Sequence, residues 1–210
     1  MTMSEADAAA LRRYGSRLLE RAAAFALETL DAPPPVAPRD LARPTPCAGW
    51  DLGTLLRHMD DSLAALHEAV SGGSVALYPP AGSPDGGDPV AGVRASAVRL
   101  LEAWRDPGGT GEDRTVTVAG CPMSAGIVAA TGAVELAVHA WDVARARGRD
   151  ADVPGPLAER LLRVTPLLVP GHARAGLFGP PLAAPPGSSP GGRLVAYLGR
   201  DPAYGQARTA

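Results

Sequence analysis

Three ionisable side chains stand about one helical turn apart in an otherwise apolar stretch, where they could bind a metal ion or move a proton. Glu135, His139 and Asp142 are separated by four and three residues, which repeats the period of an α-helix and puts all three on one face. Their neighbours are residues that a helical protein buries: Val134, Leu136, Val138, Trp141 and Val143. A buried carboxylate or imidazole is costly unless it is paired, hydrogen-bonded or bound to a metal. These three side chains therefore need partners.

A carboxylate and an imidazole one turn apart make a weak metal chelate, so a metal site needs a third ligand from elsewhere. The chain has four histidines. His58 is the best placed, because it lies at the edge of the apolar stripe of a second amphipathic segment, residues 51–67, which begins with Asp51 as a helix cap. The helical period turns His67 towards solvent. His172 lies in a segment without a period and cannot be placed.

The pattern leaves two arrangements open. In one, His58, Glu135 and His139 bind a divalent metal ion. In the other, the two histidines are hydrogen-bonded in the core and Glu135 forms a salt bridge with an arginine such as Arg57, Arg145 or Arg147. Asp142 is the candidate catalytic residue, either as the acceptor that orients a ligand imidazole or as a proton acceptor in the cavity. Its alternative is a salt bridge with Arg145 or Arg12.

The elements that must position these residues are mostly helical. Apolar periodicity predicts helices over about 4–30, 51–67, 89–104, 124–147 and 156–168, a short strand at 114–118, and a last short helix or turn within 193–202. Long proline- and glycine-rich connections separate the first three helices and can cap an interior site. We expect an all-α helical bundle at 1–170 and a C-terminal extension at 171–210 packed on it, as one domain overall.

Composition excludes several classes of function. The net charge of −2, without a basic block, and the aromatic content of 4% argue against a nucleic-acid-binding surface. No apolar run approaches the roughly 18 residues of a membrane span, and the first residues are acidic where a signal peptide is basic. We therefore expect a cytoplasmic protein without membrane contact. Cys47 and Cys121 are too few for a disulfide framework and lack the spacing of a cysteine zinc site.

Several motifs, spread over about residues 10–202, together resemble a known family. They are Thr45-Pro-Cys-Ala-Gly-Trp50-Asp51 leading into Leu56-Arg57-His58, Glu135-Leu-Ala-Val-His139-Ala-Trp-Asp142-Val-Ala-Arg-Ala, Phe178-Gly-Pro-Pro, and Leu198-Gly-Arg200-Asp-Pro202. The chain resembles the actinobacterial branch of the DinB-like superfamily, which is similar to the metal-binding domain of mycothiol-dependent maleylpyruvate isomerase. The resemblance implies a four-helix bundle with a divalent metal, usually zinc, held at the positions of His58, Glu135 and His139.

The resemblance also implies an activity on small molecules. We expect a mycothiol-dependent S-transferase or isomerase, in which a metal-bound thiolate attacks an electrophilic substrate. One alternative is a thiol-independent hydrolase, lyase or isomerase that uses metal-bound water, and another is a non-catalytic metal-binding bundle. Bundles of this kind often dimerise through helix faces, so a homodimer is also expected.

Three further residues have open roles. Trp50 either packs its loop on the second helix or lines the mouth of a pocket. Cys47 is interpreted as a structural thiol, because no basic residue at fixed spacing supports a nucleophile. Arg200 either forms a salt bridge near the C-terminus or holds an anionic substrate or thiol cofactor.

Overall fold

The computed structural model describes residues 5–75, 87–105, 114–171, 174 and 178–205, with side chains from residue 14 onward. Within these ranges the chain forms six α-helices and three short strands. The helices are α1 (Glu5–Asp31), α2 (Leu52–Gly72), α3 (Pro89–Arg105), α4 (Ala125–Ala146), α5 (Gly155–Leu168) and α6 (Pro190–Tyr197). The strands are β1 (Ser74–Val75), β2 (Thr115–Val118) and β3 (Cys121–Ser124). The predicted helices are confirmed, although α2 extends several residues beyond its predicted end and α6 begins at Pro190, before the predicted range of 193–202.

Side-chain caps and glycines set the ends of the two helices that matter most for the site. The Asp51 carboxylate and the Ser124 hydroxyl each accept a hydrogen bond from the backbone amide three residues on, at 2.8 and 3.2 Å, and so begin α2 and α4. After the two helices, Gly73 (φ 72°) and Gly148 (φ 71°) adopt the left-handed conformation that ends a helix at low cost.

The central helix is α4, which is buried along nearly its whole length and packs against α1, α2 and α5. Its approach to α1 is very close, since a Cβ added to Gly15 would lie 2.0 Å from the carbonyl oxygen of Gly126. α3 packs on α2 and α1, and α6 packs on α5. By length and composition α4 could cross a membrane, but 83% of its apolar window is buried inside the protein, as in a core helix.

A small mixed sheet lies beside the helices, with strand order β1-β2-β3. β1 runs parallel to β2, and β2 and β3 form an antiparallel hairpin that leads directly into α4. Ala119 and Gly120 form the two-residue turn, both with positive φ (51° and 81°), as in the turn type that suits the twist of a hairpin. The expectation of an all-α fold therefore holds for the helices but must be corrected to include this sheet. β2 was predicted as a strand, whereas β1 and β3 were not.

Candidate metal centre

α2 and α4 bring three of the predicted residues into one cluster. His58 Nε2 donates a hydrogen bond to Glu135 Oε1 at 2.5 Å, and His139 Nε2 lies 3.3 Å from the same oxygen. One nitrogen or oxygen atom from each residue lies within 4.8 Å of the others, a spacing that permits all three to hold one metal ion. The side chain of His139 is 5% exposed, and those of His58 and Glu135 are 35% and 24% exposed. The cluster is therefore open on the side of His58 and Glu135.

The electrostatics of the cluster favour a carboxylate between two imidazoles. Burial raises the pKa of Glu135, but hydrogen bonds with His139 and His58 outweigh that effect and hold the pKa of this carboxyl well below its usual range. Burial lowers the pKa of His139, but its bonds with Asp142 and Glu135 reverse this and raise the pKa to about 9. Glu135 is thus anionic at neutral pH and attracts cations.

The donor set fits a divalent metal better than it fits the arginine alternative. Two imidazole nitrogens and one carboxylate oxygen are a combination that zinc enzymes use, with a further coordination position left open. None of the three arginines considered from the sequence contacts Glu135. Arg57 donates to Thr54, and Arg145 pairs with Asp150. Arg147 donates to backbone carbonyls at the end of α1 and in the segment after it: Thr29, Ala32 and Pro34.

Asp142 lies behind His139 and is fully buried. His139 Nδ1 donates to Asp142 Oδ2 at 3.0 Å, which directs Nε2 of the same ring towards Glu135. Asp142 Oδ2 also accepts from Arg200 Nη2 at 3.2 Å. Asp142 thus contacts the imidazole of His139, and it also forms a salt bridge with Arg200, an arginine that sequence reasoning had not paired with it. Of the two arginines that were considered, Arg145 pairs elsewhere and the Arg12 side chain lies outside the described residues.

Arg200 occupies the space between Asp142 and Cys47. Its Nη1 donates to the Leu198 carbonyl at 2.9 Å, and its Nη2 lies 3.5 Å from Cys47 Sγ. Cys47, His139 and Asp142 are themselves close enough to form a second metal-ligand set. The guanidinium already supplies a positive charge there, so a second cation would meet repulsion. Burial raises the pKa of the Cys47 thiol, which makes this sulfur a poor nucleophile.

Trp50 covers the cluster from the loop that precedes α2. Its ring centroid lies 4.6 Å from that of His58, edge to face, and 6.1 Å from that of His139, nearly stacked. The loop is closed by Thr45, whose hydroxyl donates to the Trp50 carbonyl at 2.9 Å. The indole is half-buried, so it packs on α2 and also borders the open side of the cluster. His172 lies outside the described residues.

The comparisons with known proteins identify the family of the chain and the range that the family domain covers. The sequence profile of the mycothiol maleylpyruvate isomerase N-terminal domain matches residues 21–144, a range that includes His58, Glu135, His139 and Asp142 but not Arg200. The chain is 30% identical over 162 residues to uncharacterized protein MT0763 of Mycobacterium tuberculosis strain CDC 1551 and to uncharacterized protein Rv0738 of strain H37Rv. Each alignment covers 76% of this chain and 85% of the relative. No solved structure matches the chain.

Proposed function

Since the chain belongs to the mycothiol maleylpyruvate isomerase N-terminal domain family, a DinB-like family, we propose that it is a metal-dependent enzyme that uses a thiol, most simply mycothiol, on an electrophilic small molecule. The reaction is either transfer of the thiol to the substrate or isomerisation through a thiol adduct. The observation that carries the proposal is the cluster of His58, Glu135 and His139, which offers three ligand atoms and an open side. In this proposal α1 to α4 are the DinB-like bundle, and the protein acts in the cytoplasm.

The three residues would hold zinc or a similar divalent ion. When bound, the ion supplies a Lewis acid that lowers the pKa of a coordinated thiol and keeps it as the nucleophilic thiolate. Glu135 contributes the negative charge that attracts the cation. His139 is fixed by Asp142, so its Nε2 is oriented before a ligand arrives. His58, the most exposed of the three, is the ligand with most freedom to adjust.

The proposed reaction involves no net oxidation or reduction, so it needs no redox partner. The thiol gives its proton to solvent, and its sulfur forms a bond to the electrophilic carbon of the substrate. In a transfer reaction the bond to the leaving group breaks, and the leaving group departs with the electron pair. In an isomerisation the sulfur adds to a double bond conjugated with a carbonyl group, and the π electron pair moves to the carbonyl oxygen. Rotation about the resulting single bond follows, and the return of the electron pair re-forms the double bond and expels the thiolate. Trp50 borders the open side and limits the access of water.

Asp142 and Arg200 act as positioning residues in this proposal. Asp142 is fully buried behind His139, so it touches the ligand and not the substrate. Arg200 neutralises Asp142 from the segment after α6, which we propose as part of a C-terminal extension (residues 171–210) packed on the bundle. The same ion pair makes Arg200 unavailable as a binding site for an anionic cofactor.

The test combines metal content with thiol consumption. Purified protein is loaded with zinc, and the loss of mycothiol thiol in the presence of benzyl chloride is followed. We expect about one equivalent of zinc and thiol-dependent product, and we expect Glu135→Gln to lose both. The matched control is Glu159→Gln, which changes an exposed glutamate of α5 and leaves both intact. Zinc binding without any thiol-dependent product would favour the non-catalytic alternative, and turnover independent of thiol would favour the hydrolase or lyase.

A further inference from the structure

An open pocket of about 260 Å³ adjoins the cluster and is bounded by α2, α4 and the small sheet. Glu135 forms part of its wall, so the pocket and the metal-ligand cluster share a side chain. The remaining walls are largely apolar and include Ala65 and Leu66 of α2, Val75, Val118 and Met123 of the sheet, and Val128 of α4. The sheet that sequence analysis did not predict in full thus builds one side of this pocket.

The chemistry of the walls selects against charge in a ligand. Among the described residues Glu135 is the one ionisable side chain that lines the pocket. The two lining hydroxyls already donate within the protein, Thr131 to the Ile127 carbonyl at 3.0 Å and Ser62 towards Glu135 Oε1 at 3.5 Å. A carboxylate bound against these walls would lose its hydration and would find no cationic side chain among the residues that line them.

We infer that this pocket binds the apolar, uncharged body of the electrophilic substrate, with the reacting carbon at the Glu135 end. The inference rests on the proposed function and narrows its substrate class to uncharged electrophiles. The volume of the pocket limits the class of substrates further. A cavity of about 150 Å³ accommodates benzene, so a pocket of 260 Å³ has room for one substituted ring or an aliphatic group of similar bulk.

Gly132 determines how much of this room is available. A Cβ added at Gly132 would lie 2.5 Å from Leu66 Cδ1 and 2.8 Å from Leu66 Cδ2. The atoms that must move are the ends of a flexible side chain, so the fold tolerates the change and Leu66 shifts within the pocket wall. Gly132→Ala therefore alters the pocket without removing a metal ligand. Gly72→Ala is the matched control, because a Cβ at Gly72 meets nothing within 4 Å.

The experiment measures binding without thiol or metal. The probes are 4-chlorobenzyl alcohol and 4-chlorobenzoate, which have similar size and differ in charge, and the readout is the NMR shift of the Leu66, Val118 and Met123 methyl groups. We expect saturable shifts with the alcohol, binding of the carboxylate weaker by about tenfold or more, and weaker alcohol binding in Gly132→Ala but not in Gly72→Ala. Equal or tighter binding of the carboxylate, or an alcohol affinity that Gly132→Ala leaves unchanged, would overturn the inference.

A variant that introduces a positive charge makes the test sharper. Met123→Lys places a cation at the half-buried sheet wall, and we expect it to improve binding of 4-chlorobenzoate relative to the alcohol. An unchanged ratio in a folded variant would contradict the inference.

The outcomes also separate the two proposals. Alcohol binding at these methyl groups together with no thiol-dependent turnover of benzyl chloride would refute the proposed function alone. Thiol-dependent turnover that favours 4-(chloromethyl)benzoate over benzyl chloride would refute the pocket inference alone.

Discussion

The contact between Asp142 and Arg200 can be tested with Asp142→Asn, which removes a charge and keeps the size of the side chain. Both side chains are buried, Asp142 at 0% and Arg200 at 6% exposure, so solvent does not screen the pair. Removing one partner of a buried pair leaves the other charge uncompensated, which typically costs about 3–5 kcal/mol. The asparagine oxygen can still accept from the guanidinium, so we expect a loss at the lower end, about 3 kcal/mol in the free energy of unfolding.

The same variant should weaken metal binding in a pH-dependent way. Loss of the acceptor behind a ligand imidazole typically lowers metal affinity by about 10- to 100-fold. Asp142 is also a main cause of the raised pKa of His139, about 9, so the variant lowers that pKa and reduces proton competition for Nε2. The deficit in affinity should therefore be small at pH 7 and grow as the pH rises through 9, because His139 carries a proton in neither protein well above that pKa.

The assays are urea unfolding in the presence of a chelator and zinc titration against a competing chelator at pH 7 and 8.5. Asp150→Asn is the matched control. Asp150 pairs with Arg145, whose side chain is 7% exposed, but the Asp150 carboxylate is itself 76% exposed, so solvent screens the pair and the loss should be only about 1 kcal/mol. Arg200→Met and the double variant with Asp142→Asn complete a cycle in which the double variant should be more stable than the sum of the two single losses predicts. Additive losses, or an affinity deficit that is constant with pH, would refute this account of the pair.

Three further predictions concern charge, fluorescence and packing. The pKa of His139 is raised to about 9. The protonated imidazole therefore stabilises the zinc-free protein fully below about pH 6.5, and this stabilisation is lost as the pH rises through 9. The urea midpoint of unfolding should show this loss in the native chain and not in His139→Gln. Cobalt(II) should quench the emission of Trp50, whose ring lies 4.6 Å from that of His58, and Trp50→Phe should remove most of the response; an equal response would contradict the placement of the indole. Gly15→Ala should cost about 1–3 kcal/mol because its Cβ meets a backbone carbonyl of α4, whereas Gly72→Ala should not destabilise α2, and thermal unfolding compares the two.

The helices could be predicted because their signals are local. Each signal lies within or next to the helix that it defines. Asp51 and Ser124 cap the starts of α2 and α4, an apolar period runs along each helix, and Gly148 follows the last turn of α4. β1 and β3 carry no such signal. β1 has two residues, and β3 includes Pro122, which interrupts the alternation and is tolerated only at edges and bulges. These strands form because β2 lies between them, which is a property of the tertiary structure.

The same distinction explains which parts of the site the sequence predicted. Glu135, His139 and Asp142 share one helix, so their common face follows from the helical period alone. The partner of Asp142 does not follow from the helical period. Spacing along the helix favours Arg145, three residues on, but the fold turns Asp142 inward and pairs Arg145 with Asp150. Asp142 instead pairs with Arg200, 58 residues away, which the chain reaches through a turn at Gly199.

The turn at Gly199 has a steric reason that the sequence alone does not reveal. Gly199 has a φ of 82°, and a Cβ there would lie 2.9 Å from backbone atoms of Gly179. A side chain at this position would therefore both strain the turn and separate the two backbone segments. Since Arg200 follows directly, its approach to Asp142 depends on this contact. The orientation of His139 is thus fixed through Asp142 by a segment that lies outside α2 and α4, the helices that carry the candidate metal ligands. No periodic pattern within those helices could predict this contact.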